Sequence, residues 1–204
     1  MIDAAGLRVM RAIADEGSFT LAALSLGYSQ PAISQMVRRL EQRTGTVLVE
    51  RVGRNVRLGT QVRAMLAQRV FKRCGRGVRI FHDVEFSFGY NLSVGDGVTM
   101  HRNVLIADRG EVMIGNEASI SNYANIYSHS HAVEDIHDIT LGRTVIGDRA
   151  RITYHAVVLS GVTVEADALV ASMGVASKPI PAGVIAAGIP ARPIGQKKTR
   201  APGS

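Results

Sequence analysis

From Val94 to Val170 an aliphatic residue returns every six positions: Val94, Met100 and Ile106, then Ile114, Ile120 and Ile126, then Ile146, Ile152, Val158, Val164 and Val170. A helix repeats at about 3.6 residues and a strand at about 2, so a strict period of six fits neither a helix nor a simple hairpin meander. A parallel β-helix fits it, because each hexad makes one flat face and three faces close a coil. The aliphatic residue points inward. Four positions later the side chain is small or Val (Val98, Val104, Ala118, Ala124, Ala150, Ala156, Val162, Ala168), which lets the chain turn the corner. Two breaks interrupt the period. The step from Ile106 to Ile114 is eight residues, so Arg109-Gly110 bulges from a corner, and the step from Ile126 to Ile146 is twenty, so a loop of roughly 132–144 projects from the coil. A β-sandwich would show period-two alternation with turn residues every ~8–12 positions, and that pattern is absent.

The residues before this repeat differ in kind. Residues 1–75 hold 12 Lys and Arg against 5 Asp and Glu, a net +7, whereas residues 76–204 hold 12 of each and all six histidines. A small basic module suits a polyanionic partner or, more blandly, a solvated basic surface. Leu7, Val9, Met10, Ile13 and Ala14 recur at helical spacing up to Gly17. Ser18 suits the N-cap of a second helix through Leu21, Ala22, Leu24 and Leu26, closed by Gly27. Ser29 caps a third with Pro31 in its first turn, carrying Ile33, Met36, Val37 and Leu40 on one face and amides, hydroxyls and arginines on the other. Two short apolar runs, Val47 to Val49 and Val56 to Leu58, flank a basic turn. Three helices and a hairpin predict a winged helix-turn-helix over 1–58, whose third helix reads base edges in the major groove while Arg51, Arg54 and Arg57 meet phosphates. Residues 59–75 read as a connecting helix opened by Thr60 and ending at Cys74-Gly75, stiffer than a Gly/Ser linker. Cys74, the single cysteine, reads as a packed small hydrophobe and excludes an internal disulfide framework.

The stretch GSFTLAALSLGYSQPAISQMVRRLEQRTGTVLVERVGRNVRL resembles the DNA-binding domain of LysR-type transcriptional regulators over roughly residues 5–60. The resemblance rests on GSFT, the SQPAIS start of the recognition helix, RRLE, and the VERVGR wing. It implies DNA contacts by Gln30, Pro31, Ser34, Gln35, Arg38 and Arg54. Beyond Leu58 the likeness stops, since the family continues into a long dimerising helix and an effector domain.

The hexads of residues 76–196 resemble those of the left-handed β-helix acyltransferases, and in particular the maltose and galactoside acetyltransferase group. GYNLSVGDGV, RNVLIADRGEVMIGNEASIS, the coil IYSHSH and the ending VASKPIPAGVIAAGIPARPIG carry the likeness. It implies left-handed coiling, acetyl-CoA as acyl donor, a homotrimer open to pairing into hexamers, and sites between neighbouring subunits; no metal is expected, because hydroxyl-to-thioester transfer needs none and no carboxylate is placed with the His129–His131 pair. O-acetylation needs a base to take a proton from the attacking hydroxyl, and histidine serves near neutral pH. His131, last in its hexad and ahead of the projecting loop, occupies the place of the family's catalytic histidine, with His129 near the middle of a face as the alternative. His137 lies in the loop, within reach of an acceptor, while His82, His101 and His155 read as surface or interface residues. The same matching implies Asn103 and Asp108 at the acceptor, and Ser172, Ser177, Lys178 and Arg192 along the CoA arm. Arg151 stands where the family often carries Trp, so the subsite beside the thioester differs.

Two functions follow as expectations: acetyl-CoA-dependent O-acetyl transfer to a hydroxylated small molecule by a chain that also carries a DNA-binding module, or a DNA-binding regulator whose β-helix oligomerises or senses a ligand. A fusion with one vestigial module is a third. A composition of 46% hydrophobic and 20% charged residues is that of a globular protein. With no apolar run of membrane-spanning length and no signal-like start, a cytoplasmic location without membrane contact is the default, and Lys197 to Ser204 reads as a flexible tail.

Overall fold

A computed structural model describes residues 3–52 and 55–197 and divides the chain into two compact units, Met1–Leu66 and Ala67–Ser204. Arg54 and the tail beyond Lys197 lie outside the described residues.

The first unit is built from α1 (Ala4–Glu16), α2 (Phe19–Leu26), α3 (Gln30–Thr44) and a two-stranded wing, β1 (Val49–Val52) and β2 (Asn55–Leu58). The boundaries follow from capping chemistry. Asp3, Ser18 and Ser29 each accept a backbone N–H of the first turn, and Gly17, Gly27 and Gly45 close the three helices in the left-handed conformation. Val9, Ile13, Ala22, Ala23, Ile33, Val37 and Val56 form the main core, with Met10, Leu40 and Leu48 as a second cluster. Five of the expected apolar positions face outward: Leu7, Ala14, Leu21, Leu24 and Val47 are exposed. Leu7 and Ala14 line an apolar groove with Met10, Leu58, Val62 and Met65. The wing pairs antiparallel, Val49 opposite Leu58 and Arg51 opposite Val56. Helix α4 (Thr60–Val70) follows, opened by Thr60 but not capped by it. The Thr60 hydroxyl donates instead to Glu50 Oε1 at 2.8 Å, as does its N–H, and Arg63 pairs with the other Glu50 oxygen at 3.4 Å. The helix stops at Val70, four residues short of its expected end, because Arg73–Cys74 already pairs with Leu92–Val94 in the second unit.

That unit is a parallel β-solenoid of three faces. Face I stacks Arg73–Cys74, Leu92–Val94, Val112–Ile114, Thr144–Ile146 and Thr163–Val164. Face II stacks Arg79–Ile80, Thr99–Met100, Ser119–Ile120, Arg151–Ile152, Leu169–Val170 and Val184–Ala187, with Arg192–Gln196 folded back antiparallel on the last. Face III stacks Glu85–Phe86, Leu105–Ala107, Asn125–Tyr127, Val157–Val158 and Val175–Ala176. The six-residue aliphatics sit one above another in the core: Met100, Ile106, Ile120, Ile126, Ile152 and Val158 are 0% exposed. The small residues four positions later also point inward, fully buried at Ala124, Ala150, Ala156 and Ala168. At the corner from face I to face II, an Asx side chain on one coil takes the place a Cβ would fill on the coil before. Asn116 Oδ1 accepts the N–H of Asp96 at 2.9 Å and would lie 2.7 Å from a Cβ on Gly95, which is why that position is glycine.

Candidate functional site

The corner between faces III and I carries the long break in the hexads. The hexad begun at Ile126 is not completed, and the chain leaves the coil as a two-stranded antiparallel ribbon, His129–His131 against Ile139–Leu141. Both histidines therefore stand on the ribbon, and His129 is not at the middle of a coil face. Being two residues apart on a strand, they share a side, with ring centroids 5.6 Å apart at 77°. Their surroundings differ. His129 is half-buried, and its Nδ1 is buried with no hydrogen-bond partner among the described residues. His131 is exposed, and its Nδ1 bonds to the carbonyl of Ile136 across the ribbon turn. A carbonyl only accepts, so Nδ1 carries the hydrogen, and in a neutral imidazole the lone pair is then on Nε2. That is the tautomer a general base needs. His137 lies in the same turn, its N–H held by Asp135 at 2.8 Å.

The other expected site residues are distributed over three places. Asn103 sits at the corner between faces II and III with φ +58°, a left-handed conformation that Asn tolerates well. It lines a cleft with His82, Asp83, Arg102, Asn122, Tyr123 and Tyr154. Above it Tyr123 and His155 stack at 4.8 Å, and His82 Nδ1 meets Asp83 Oδ2 at 2.8 Å. Asp108 corrects the expectation of an acceptor contact: it is 0% exposed, and its two oxygens accept the N–H groups of Phe88 (2.9 Å) and Gly89 (2.7 Å). A buried aspartate is a strut here, and a sequence pattern does not show that its carboxylate is spent on backbone. Ser172, Ser177, Lys178 and Arg192 are all exposed, but on one chain they do not form a single strip. Ser172 lies at the corner after face II, Ser177 and Lys178 follow face III, and Arg192 opens the folded-back strand.

His101, expected at the surface or an interface, is half-buried. Its ring stacks on Phe81 at 5.2 Å and 11°, and burial, then Arg79 and Arg102, lower its pKa. The signal was available, since Phe81 and His101 are one coil apart at the same hexad position. In the first unit, Gln30, Pro31, Ser34, Gln35, Arg38 and Arg51 line one open surface, and Gln30 Nε2 donates to Ser34 Oγ at 2.8 Å. No helix among the described residues is long and apolar enough to cross a membrane.

The folds and sites together describe a winged helix-turn-helix joined to a hexapeptide-repeat β-helix of acetyltransferase architecture. Residues 5–61 match the model of the bacterial regulatory helix-turn-helix protein, lysR family. A probable RuBisCO transcriptional regulator of Thalassiosira pseudonana is 35% identical over 96 residues, 46% of this chain and 31% of that regulator, so the chain spans about a third of such relatives. The galactoside O-acetyltransferase of Escherichia coli (strain K12) is 28% identical over 138 residues, 65% of this chain and 67% of that enzyme. Among solved structures, a maltose O-acetyltransferase from Clostridium difficile 630 superposes with a TM-score of 0.64 at 18% identity, covering 80% of this chain and 87% of that one. A galactoside acetyltransferase in complex with coenzyme A superposes with a TM-score of 0.64 at 26% identity, covering 67% and 70%.

Proposed function

We propose that the second unit transfers an acetyl group from acetyl-CoA to the hydroxyl of a small acceptor, and that the first unit binds double-stranded DNA. The observation that carries the enzymatic reading is the exposed His131 ring on the ribbon, its Nδ1 held by the Ile136 carbonyl. In this reading His131 Nε2 receives the acceptor's hydroxyl proton as the oxygen bonds to the thioester carbon. The proton then passes to the sulfur that leaves, and the imidazole returns neutral. Ser172 and Ser177 offer hydroxyls, and Lys178 and Arg192 offer exposed cations, a donor set that suits the polar arm and phosphates of the donor molecule. Asn103 and His131 occupy different corners of the coil, so one chain does not join them. We place them in one site by assembling a homotrimer, in which a neighbour's corner faces the ribbon.

A DNA-binding regulator whose solenoid only assembles is the second reading. It is favoured by the open surface that gathers five of the expected DNA contacts beside Arg51. Binding to a genomic operator would place the chain in the cytoplasm. The test pairs a CoA-release screen over hydroxylated acceptors with gel shifts on genomic fragments. Release that disappears in His131→Ala supports the enzyme, while a shift without release supports the regulator.

A further inference from the structure

The foot of the ribbon is unusual in what it buries. Four polar side chains are buried among the described residues: Thr99, Asp108, Ser128 and Thr144. The last three are 0% exposed and all lie at the corner between faces III and I. Asp108 ties that corner to the coil before it, as above. Ser128 is the last residue before the ribbon. Its hydroxyl accepts the N–H of Gly110 at 2.9 Å and lies 2.7 Å from the carbonyl of Ala107, to which it donates. Thr144 opens the strand that follows the ribbon. Its hydroxyl donates to the carbonyl of Tyr127 at 2.7 Å and accepts the N–H of Gly161, one coil on, at 3.0 Å. The Gly142 N–H closes the ring onto the Ser128 carbonyl at 2.9 Å. The Ser128 hydroxyl therefore anchors the entering chain to the coil before it, and the Thr144 hydroxyl joins the exit strand to the entering chain and to the coil after it.

A backbone that leaves a regular ladder strands N–H and C=O groups, and buried ones must find partners. Any buried polar residue could meet that need. What this arrangement adds is direction: the Thr144 hydroxyl ties the exit strand to Tyr127, the residue before Ser128, just where the chain turns out into His129–His131. We infer that Ser128 and Thr144 are positioning residues, a buried hydroxyl clasp that aims the ribbon and with it the Nε2 of His131. The inference rests on the acetyl-transfer reading for its catalytic consequence, and on the geometry alone for the clasp.

Thr144→Val keeps the shape of the side chain and removes its hydroxyl, and Thr144→Ser keeps the hydroxyl. The full-length variants are compared by hydrogen–deuterium exchange over residues 129–141. They are also compared by CoA release, with acetyl-CoA as donor and maltose and isopropyl thiogalactoside as acceptors. In Thr144→Val, exchange should quicken in the ribbon and not in the coils. Turnover should fall by up to about a hundredfold, the scale of an ångström's misplacement, while KM for acetyl-CoA holds. Thr144→Ser should restore both. Ser128→Ala is read in the same way. Unchanged ribbon exchange overturns the clasp, and so does loss of the whole solenoid in both variants. A loosened ribbon with undiminished turnover overturns the positioning role. A wild-type chain inert toward every acceptor sinks the acetyl-transfer reading instead, and the exchange data still judge the clasp.

Discussion

At the scale of single residues, His131 and Glu50 show how local contacts decide chemistry. A positioned base is worth ~10²- to 10⁴-fold in rate, so His131→Ala should cost acetyl transfer about that much. Thermal stability should change little, because the side chain is exposed. His129→Ala should cost far less; turnover of the two variants with one acceptor decides, and an inert His129→Ala beside an active His131→Ala would reverse the assignment. Glu50 joins the wing to α4. Burial pushes its carboxyl up, but the Thr60 N–H and hydroxyl, then Arg63, outweigh burial and leave the pKa lowered. A lowered carboxyl contributes stability above the ordinary glutamate range and loses it as pH falls through the folded value. Thermal melts of the first unit's transition should therefore drop at neutral pH in Glu50→Gln and depend less on acidification than wild type; parallel pH curves would refute this. The six-residue period made the inward residues readable one by one. Asp108 was not readable, because the same Asp on an exposed corner and on a buried one leaves the same letter in the sequence.

Among elements, the helices were legible through their caps: Ser18, Ser29, Gly17 and Gly27 each stand where the structure starts or stops a helix. The ribbon was legible only as a gap in the period, since a hairpin of 13 residues (129–141) offers no repeat against which to set its register. The end of α4 was misread because a two-residue strand, Arg73–Cys74, carries no pattern of its own. The coil corners give a direct test. In Gly95→Ala the new methyl would meet Asn116 Oδ1 at 2.7 Å and the backbone of Gly115 at 2.9 Å. Backbone cannot yield as a side chain does, so the solenoid should lose about 1–3 kcal/mol or more, read as a lowered melting temperature; an unshifted melt would mean that the corner relaxes freely. On α3, replacing exposed Gln35 should change which DNA sequence is preferred, whereas replacing Arg38 should weaken all sequences and flatten the salt dependence. Gel shifts across a salt series would show it.

For the whole molecule, the proposed site and the proposed DNA module demand different symmetries. Joining Asn103 of one copy to His131 of another calls for three-fold assembly, while paired DNA modules call for a two-fold axis. Light scattering at micromolar concentration should give a trimer or a pair of trimers. A monomer would remove the shared site, and a bare dimer would favour the regulator.

The strand Arg192–Gln196 covers Val184–Ala187, the last rung of face II, and runs against it. A stack of parallel rungs is a template that otherwise invites the next chain to add its own, as fibrils do. The returning strand runs opposite to the stack and carries Pro193, so it is a poor template for another rung. On face II the solenoid thus ends in a proline-bearing strand that is ill suited to seat a further rung.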